Sequence, residues 1–279
     1  MRTVCVGVIA LTVAIAAAGC GGGASDQKAE ALTIVAGFYP LAWVAEQVAG
    51  PRTHVVNLTP AGAEPHDLEL SPSDVRKVSD AGLVVYVGGG FQPALEDAVA
   101  QREAPSLDVL RPGESDPHVW LDPVRFSQVT HDLGRALGRP AAARKLEQTL
   151  AEIDTRYRRA LRGCSRTTFV TTHAAFGHLA KRYGLTQLSL AGRTPEAEPG
   201  PKEIERLVAA VEASGAPVVF AEPLVSKDLA ATVAREADVE VSSLDPLEGL
   251  SSERLDAGDD YASVMLDNLK ALTKALACR

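Results

Sequence analysis

Positive charge is in short supply in this 279-residue chain, where 28 Lys and Arg stand against 36 Asp and Glu for a formal net charge of -8. A surface of that sign repels a phosphate backbone, so nucleic acid is excluded as the expected partner and a cation becomes the easier ligand. Long apolar runs are also lacking. The run from Val4 to Ala18 is too short to cross a bilayer comfortably as a helix. A mean hydropathy of +0.02, with 46% hydrophobic and 23% charged residues, rules out both wholesale disorder and a many-span membrane protein. No segment repeats closely enough to suggest a solenoid. At this length two domains are the default expectation.

What is present begins with a leader. Arg2 gives a positive start, the apolar run follows, and Ala18-Gly19-Cys20 closes it, as in a secretory signal. A small residue before a Cys at the cleavage point resembles the lipobox of bacterial lipoproteins, with Ala17 where that pattern prefers Leu; ordinary cleavage, with Cys20 incidental, is the alternative. The expectation is a signal peptide over residues 1–19, lipid on Cys20, and a flexible tether over 20–31, rich in Gly, Ala and polar residues. Of the 4 Cys, Cys5 leaves with the leader and Cys20 carries lipid. Cys164 and Cys278 remain, and in an oxidising compartment a disulfide between them is expected.

From Leu32 onward, short β-branched runs alternate with helical patterns. Leu32–Ala36, Val55–Leu58 and Leu83–Val87 read as buried strands, and the alternation resumes at Thr168–Thr172, Thr186–Leu190, Val218–Ala221 and Val239–Ser243. Such alternation implies mostly parallel sheets covered by helices. Ser71-Pro72-Ser73-Asp74 and Asp122-Pro123 mark helix starts, each with a capping side chain before a proline at the first helical position. Between the two alternating halves, Gly138-Arg139-Pro140 ends one helix and opens another. Leu146, Leu150, Ile153 and Leu161 are spaced there for a single buried stripe, on a helix about 30 Å long. The expected organisation is an α/β lobe over residues 32–138, a linking helix over 139–163, and a second α/β lobe over 164–279.

Only 6 His occur, and three of them sit at loop or strand-end positions beside helix starts: His66, His118 and His173. In α/β sheets ligand groups gather at the carboxyl ends of strands. Imidazoles brought together there, joined by a carboxylate, are the ordinary makings of a transition-metal site. His54, His131 and His178 are expected to be ordinary solvated side chains. His178 lies five positions after His173, on a different helix face.

Five segments together carry a resemblance. They are Glu64-Pro65-His66-Asp67 with Ser71 to Asp74, Asp116-Pro117-His118-Val119-Trp120-Leu121-Asp122-Pro123, His173 to Leu185, Phe220-Ala221-Glu222-Pro223, and Leu244-Asp245-Pro246-Leu247. In order and spacing they are similar to the zinc/manganese substrate-binding proteins of bacterial ATP-binding-cassette importers, over essentially the whole mature chain. The resemblance implies two α/β lobes joined by one long rigid helix, with small lobe tilts and local loop motion on metal release. It implies His66, His118 and His173 as ligands with Asp245 as the fourth; Glu64, Glu222 and Glu248 are alternative or supporting carboxylates. It further implies Zn2+ as bound cargo, with Mn2+ as the alternative, and as partners the permease subunits of a metal importer and, through the lipid anchor, the outer face of the cytoplasmic membrane. The chain itself is expected to be a monomer without catalytic activity. Many zinc-specific relatives carry a His-rich loop between the first two ligand segments, whereas Gly88 to Ser115 here contains no His. Two other classes remain open. A zinc hydrolase would use the same imidazoles with Glu64 or Glu222 as base, although no His-Glu-x-x-His occurs. A metal-dependent adhesin would share the site and differ in partners.

Overall fold

The computed structural model describes residues 31–193 and 199–279. The leader, Cys20 and the tether up to residue 30 lie outside the described residues. The first half contains β1 (Leu32–Ala36), α1 (Tyr39–Val48), β2 (Thr53–Asn57), α2 (Pro72–Asp80), β3 (Leu83–Tyr86), α3 (Pro93–Ala100) and β4 (Ser106–Asp108). Then come α4 (Pro123–Ala136) and α5 (Pro140–Ala160). The second half has β5 (Thr168–Thr171), α6 (Gly177–Tyr183), β6 (Thr186–Ser189), α7 (Pro201–Ser214), β7 (Val218–Ala221), α8 (Asp228–Glu236), β8 (Glu240–Ser243), α9 (Ser252–Asp256) and α10 (Tyr261–Ala275). Each half forms a four-stranded sheet, ordered β2-β1-β3-β4 and β6-β5-β7-β8, and every pair is parallel. The α/β, two-lobe architecture expected from the alternation is therefore what the chain adopts.

Local chemistry explains where helices start. Ser71 and Asp74 close a capping box on α2, and the Asp122 carboxylate accepts the amides of Val124 and Arg125 at 2.9 and 3.3 Å on α4. Gly138, at φ 63°, provides the left-handed turn out of α4, and Pro140 then begins α5. The stripe read from sequence on α5 is buried at Leu146, Leu150, Ile153 and Leu161, and Ala143 and Tyr157 extend it. This face packs on α1, α4 and α10.

One continuous apolar core runs through both lobes. Phe38, Trp43, Trp120 and Phe126 from the first half meet Leu244, Leu247, Tyr261 and Leu272 from the second. Two buried tyrosine hydroxyls within it are paired: Tyr261 donates to the Trp120 carbonyl and Tyr157 to the Met265 carbonyl, both at 2.6 Å. Smaller clusters fill the outer sides of each sheet. At the junction, Arg182 of α6 reaches Asp122 at 3.2 Å and Asp154 of α5 at 2.7 Å. Cys164 and Cys278 form the expected disulfide, 114 residues apart. Beside it the amides of Ser165 and Arg166 donate to the carbonyls of Ala277 and Leu276, which fastens the end of α10 to the segment entering β5.

Candidate metal centre

Parallel strands send their carboxyl ends in one direction, and the loops leaving those ends converge. His66 follows β2 in a single 3-10 turn, Pro65–Asp67, and His118 follows β4 just before another, Val119–Leu121. His173 follows β5, Glu222 directly follows β7, and Glu248 lies on the loop after β8. His66, His118, His173 and Glu248 each offer one ligand atom, and these four atoms lie within 4.8 Å of one another. Two come from each lobe.

Glu248 Oε1 is the hub, at 3.5 Å from His66 Nε2, 3.2 Å from His118 Nε2 and 3.3 Å from His173 Nε2. The His118 and His173 side chains are 0% exposed, Glu248 1% and His66 5%, so His66 is the most exposed of the four. Beneath the imidazoles the floor is aromatic: Phe91 stands 4.4 Å from the His66 ring and Trp120 5.2 Å from His118. Water is thus displaced from the cluster and charge interactions there are strengthened. Nε2 of His66 and of His118 face Glu248 without hydrogen-bond geometry, and with His173 Nδ1 beside Glu222 they make three buried imidazole nitrogens without a hydrogen-bond partner. A cation among the four atoms fits that vacancy of partners, because imidazole nitrogens and a carboxylate oxygen are donors of the type divalent transition metals take.

The far nitrogens are held by further carboxylates. Asp116 Oδ1 lies 2.8 Å from His118 Nδ1, and Glu222 is in close contact with His173 Nδ1. Glu222 also accepts the His173 amide at 3.1 Å and the Thr172 hydroxyl. These contacts fix which ring nitrogen is free to face the centre. Burial alone would lower the pKa of His173, but Glu222 and Glu248 outweigh it and push it up to about 10. His118 is raised in the same way by Asp116 and Glu248 against its burial. Burial would raise Glu248, yet the surrounding imidazoles hold it well below the usual carboxylate range. Glu64 is pushed up to about 8, by burial first and then by the charge on Glu248.

Asp245, implied by the resemblance as the fourth ligand, is not in this cluster. Its Oδ1 accepts the Leu247 amide at 2.8 Å within its own loop and its Oδ2 the guanidinium of Arg254 on α9 at 2.9 Å, so both oxygens are already engaged. Glu248, held as an alternative, stands in its place. Glu64 lies beside the cluster, with Oε1 accepting the His66 amide at 3.3 Å. His178 is not a bystander: its Nε2 meets the Asp116 carbonyl at 3.0 Å, behind the carboxylate that holds His118. Asp116 itself was passed over as a site residue, although an acid two positions before a loop His is a readable signal for a carboxylate that caps that residue's amide. His131 is exposed and pairs with Glu147 at 3.3 Å, and His54 is exposed on β2.

Comparison with known proteins places this geometry. A family model described as ZnuA, the periplasmic component A of a zinc-uptake complex, matches residues 34–275. The zinc-binding protein AdcA of Streptococcus pyogenes serotype M1 is 33% identical over 282 residues, covering 86% of this chain and 55% of that protein. The chain thus spans about half the length of the AdcA relatives it matches. The high-affinity zinc uptake system protein ZnuA of Bacillus subtilis is 30% identical, with 91% and 90% covered. Among solved structures, the Zn(II)-bound ZnuA-like domain of Streptococcus pneumoniae AdcA is 35% identical with a TM-score of 0.75, covering 88% of this chain and 98% of that one. The laminin-binding protein Lmb of Streptococcus agalactiae, described as a bifunctional adhesin and metal transporter, is 27% identical with a TM-score of 0.78, covering 88% and 99%. Among the described residues no helix is long and apolar enough to cross a membrane. With the family model spanning both lobes and every residue of the four-atom cluster, this chain belongs to the ZnuA family of periplasmic zinc-uptake components.

Proposed function

We propose that the chain captures a divalent transition metal, zinc above others, outside the cytoplasmic membrane and delivers it to the permease of an ATP-binding-cassette importer. The observation that carries this reading is the buried set of three imidazole nitrogens and one carboxylate oxygen within 4.8 Å. His66, His118, His173 and Glu248 act as the ligands in this reading, while Asp116 and Glu222 orient two of the rings. Four donors of this kind suit tetrahedral Zn2+, whereas Mn2+ favours more oxygen donors and higher coordination. The names of the relatives, zinc-binding lipoprotein AdcA of S. pneumoniae and zinc uptake protein ZnuA of B. subtilis, support the same cargo.

Binding rather than hydrolysis is favoured by the completeness of the set. A catalytic zinc keeps an open position for water, and here a fourth protein donor already faces the three imidazoles. Glu222, one of the two candidate bases, is engaged by His173 and Thr172. Competition of the metal-free protein against a chelating indicator tests the reading: tighter zinc than manganese binding is expected, and the reverse order would overturn the choice of cargo. Lipid on Cys20 tethers the chain in this reading, and Cys20→Ser is expected to release it from membranes; equal retention of the variant would reject the anchor.

A further inference from the structure

The loop that carries Glu248 is shaped by bonds from outside itself. Residues 244–250 are all buried, and the backbone turns at Leu247 with φ 59°. A side chain with a Cβ is disfavoured in that left-handed conformation, so the turn persists only where its surroundings impose it. Four groups do so. Asn268 of α10 pairs with both main-chain groups of Asp245, accepting its N–H at 2.9 Å and donating to its carbonyl at 2.7 Å. Trp120 Nε1 donates to the Pro246 carbonyl at 2.7 Å. Asp245 Oδ1 accepts the Leu247 amide, which locks the turn, and Arg254 Nη1 grips the other carboxylate oxygen at 2.9 Å. Arg254 is in turn braced by Asp259 at 2.8 Å and lies 3.8 Å from Asp267. It sits on the short α9 with 30% of its side chain exposed, and among the described residues it is the one cation paired with Asp245.

We propose that Arg254 is a positioning residue for the metal site: by holding Asp245 it fixes the left-handed turn at Leu247 that aims Glu248 at the three imidazoles. The proposal rests on the metal-capture reading. Without the guanidinium, Asp245 is a buried carboxylate lacking its cation, which is costly, and the loop can shed that cost by turning the carboxylate outward and releasing the Leu247 amide. Glu248 is the next residue, so its carboxylate moves with the turn. Arg254 pairs with none of the four ligands, and its effect on metal therefore passes through the loop that carries Glu248.

The test is a double-mutant cycle on the purified full-length chain, with zinc affinity and dissociation rate read by competition with a chelating indicator. Arg254→Met is expected to weaken zinc by about 10- to 100-fold, the range for groups that orient a ligand, mainly through faster release. The visible absorption of the Co2+-loaded variant is expected to lose intensity as four-coordinate geometry loosens. In a Glu248→Gln background the same substitution is expected to change affinity by no more than about twofold. Wild-type-like affinity of Arg254→Met, or an undiminished loss on top of Glu248→Gln, would overturn the proposal, because a merely structural role acts with or without the Glu248 charge. Should Arg254→Met fail to fold, Asp245→Asn is read by the same criteria, since it keeps an acceptor for the Leu247 amide while removing the charge that Arg254 holds. A wild-type chain that binds no zinc would instead defeat the metal-capture reading itself, and this proposal with it.

Discussion

Acid-Pro-His occurs twice, at Glu64 to His66 and Asp116 to His118, and in both the carboxylate accepts the amide of the histidine. The copies differ in reach. Asp116 also meets the His118 ring, leaving that imidazole the better fixed of the two. Replacing His118 with Ala is therefore expected to weaken zinc by more than about 100-fold, beyond the cost of disturbing a supporting group. His131→Ala, an exposed site, is expected to leave affinity unchanged, and equal zinc affinity of the two variants in a competition titration would overturn the site. The three loop histidines were legible because each sits at a loop or strand-end position beside a helix start. The choice between Asp245 and Glu248 was not. Both lie on one loop, and which side chain points inward depends on the left-handed turn at Leu247, a conformation that sequence announces with Gly and not with Leu.

At the scale of elements, helix starts were the most readable features, because Pro72, Pro123 and Pro140 each sit at a first helical position. Two elements escaped. β4 is three residues long with Leu107 as its one apolar member, and the five-residue α9 buries no side chain, so neither carries a periodic signal. The unread α9 carries Arg254, which explains why the support of the Glu248 loop was invisible. The C-terminal helix α10 owes part of its docking to the disulfide. Closing so long a loop is worth about 4–5 kcal/mol in the chain-entropy model. Cys278→Ser is accordingly expected to lower the melting temperature by on the order of 10 °C. An unchanged melting temperature under non-reducing conditions would refute that contribution.

For the whole molecule, the metal-free and zinc-loaded forms are expected to respond oppositely to pH. In the folded metal-free chain the His118 pKa is raised, and that of His173 to about 10, above the ordinary value of about 6.5. Their contribution to stability is full below about pH 6.5 and is lost as pH climbs toward the folded values. Glu64, pushed up to about 8, acts in the same direction, since its carboxyl holds a proton more tightly when folded. Zinc must displace these protons, so its affinity rises over the same interval and adds more stability at higher pH. The gap between the melting temperatures with and without zinc is therefore expected to widen from about pH 6 to pH 8.5, and a constant gap would contradict the assignment. The division of the cluster carries a last consequence. With His66 and His118 on one lobe and His173 and Glu248 on the other, an ion held as proposed would sit in a four-toothed chelate split evenly across a seam. Parting the lobes slightly, with neither unfolded, leaves a two-toothed half on each bank, and the effective concentration that each half lends the other is lost together. Grip in such a molecule falls as a step rather than a slope.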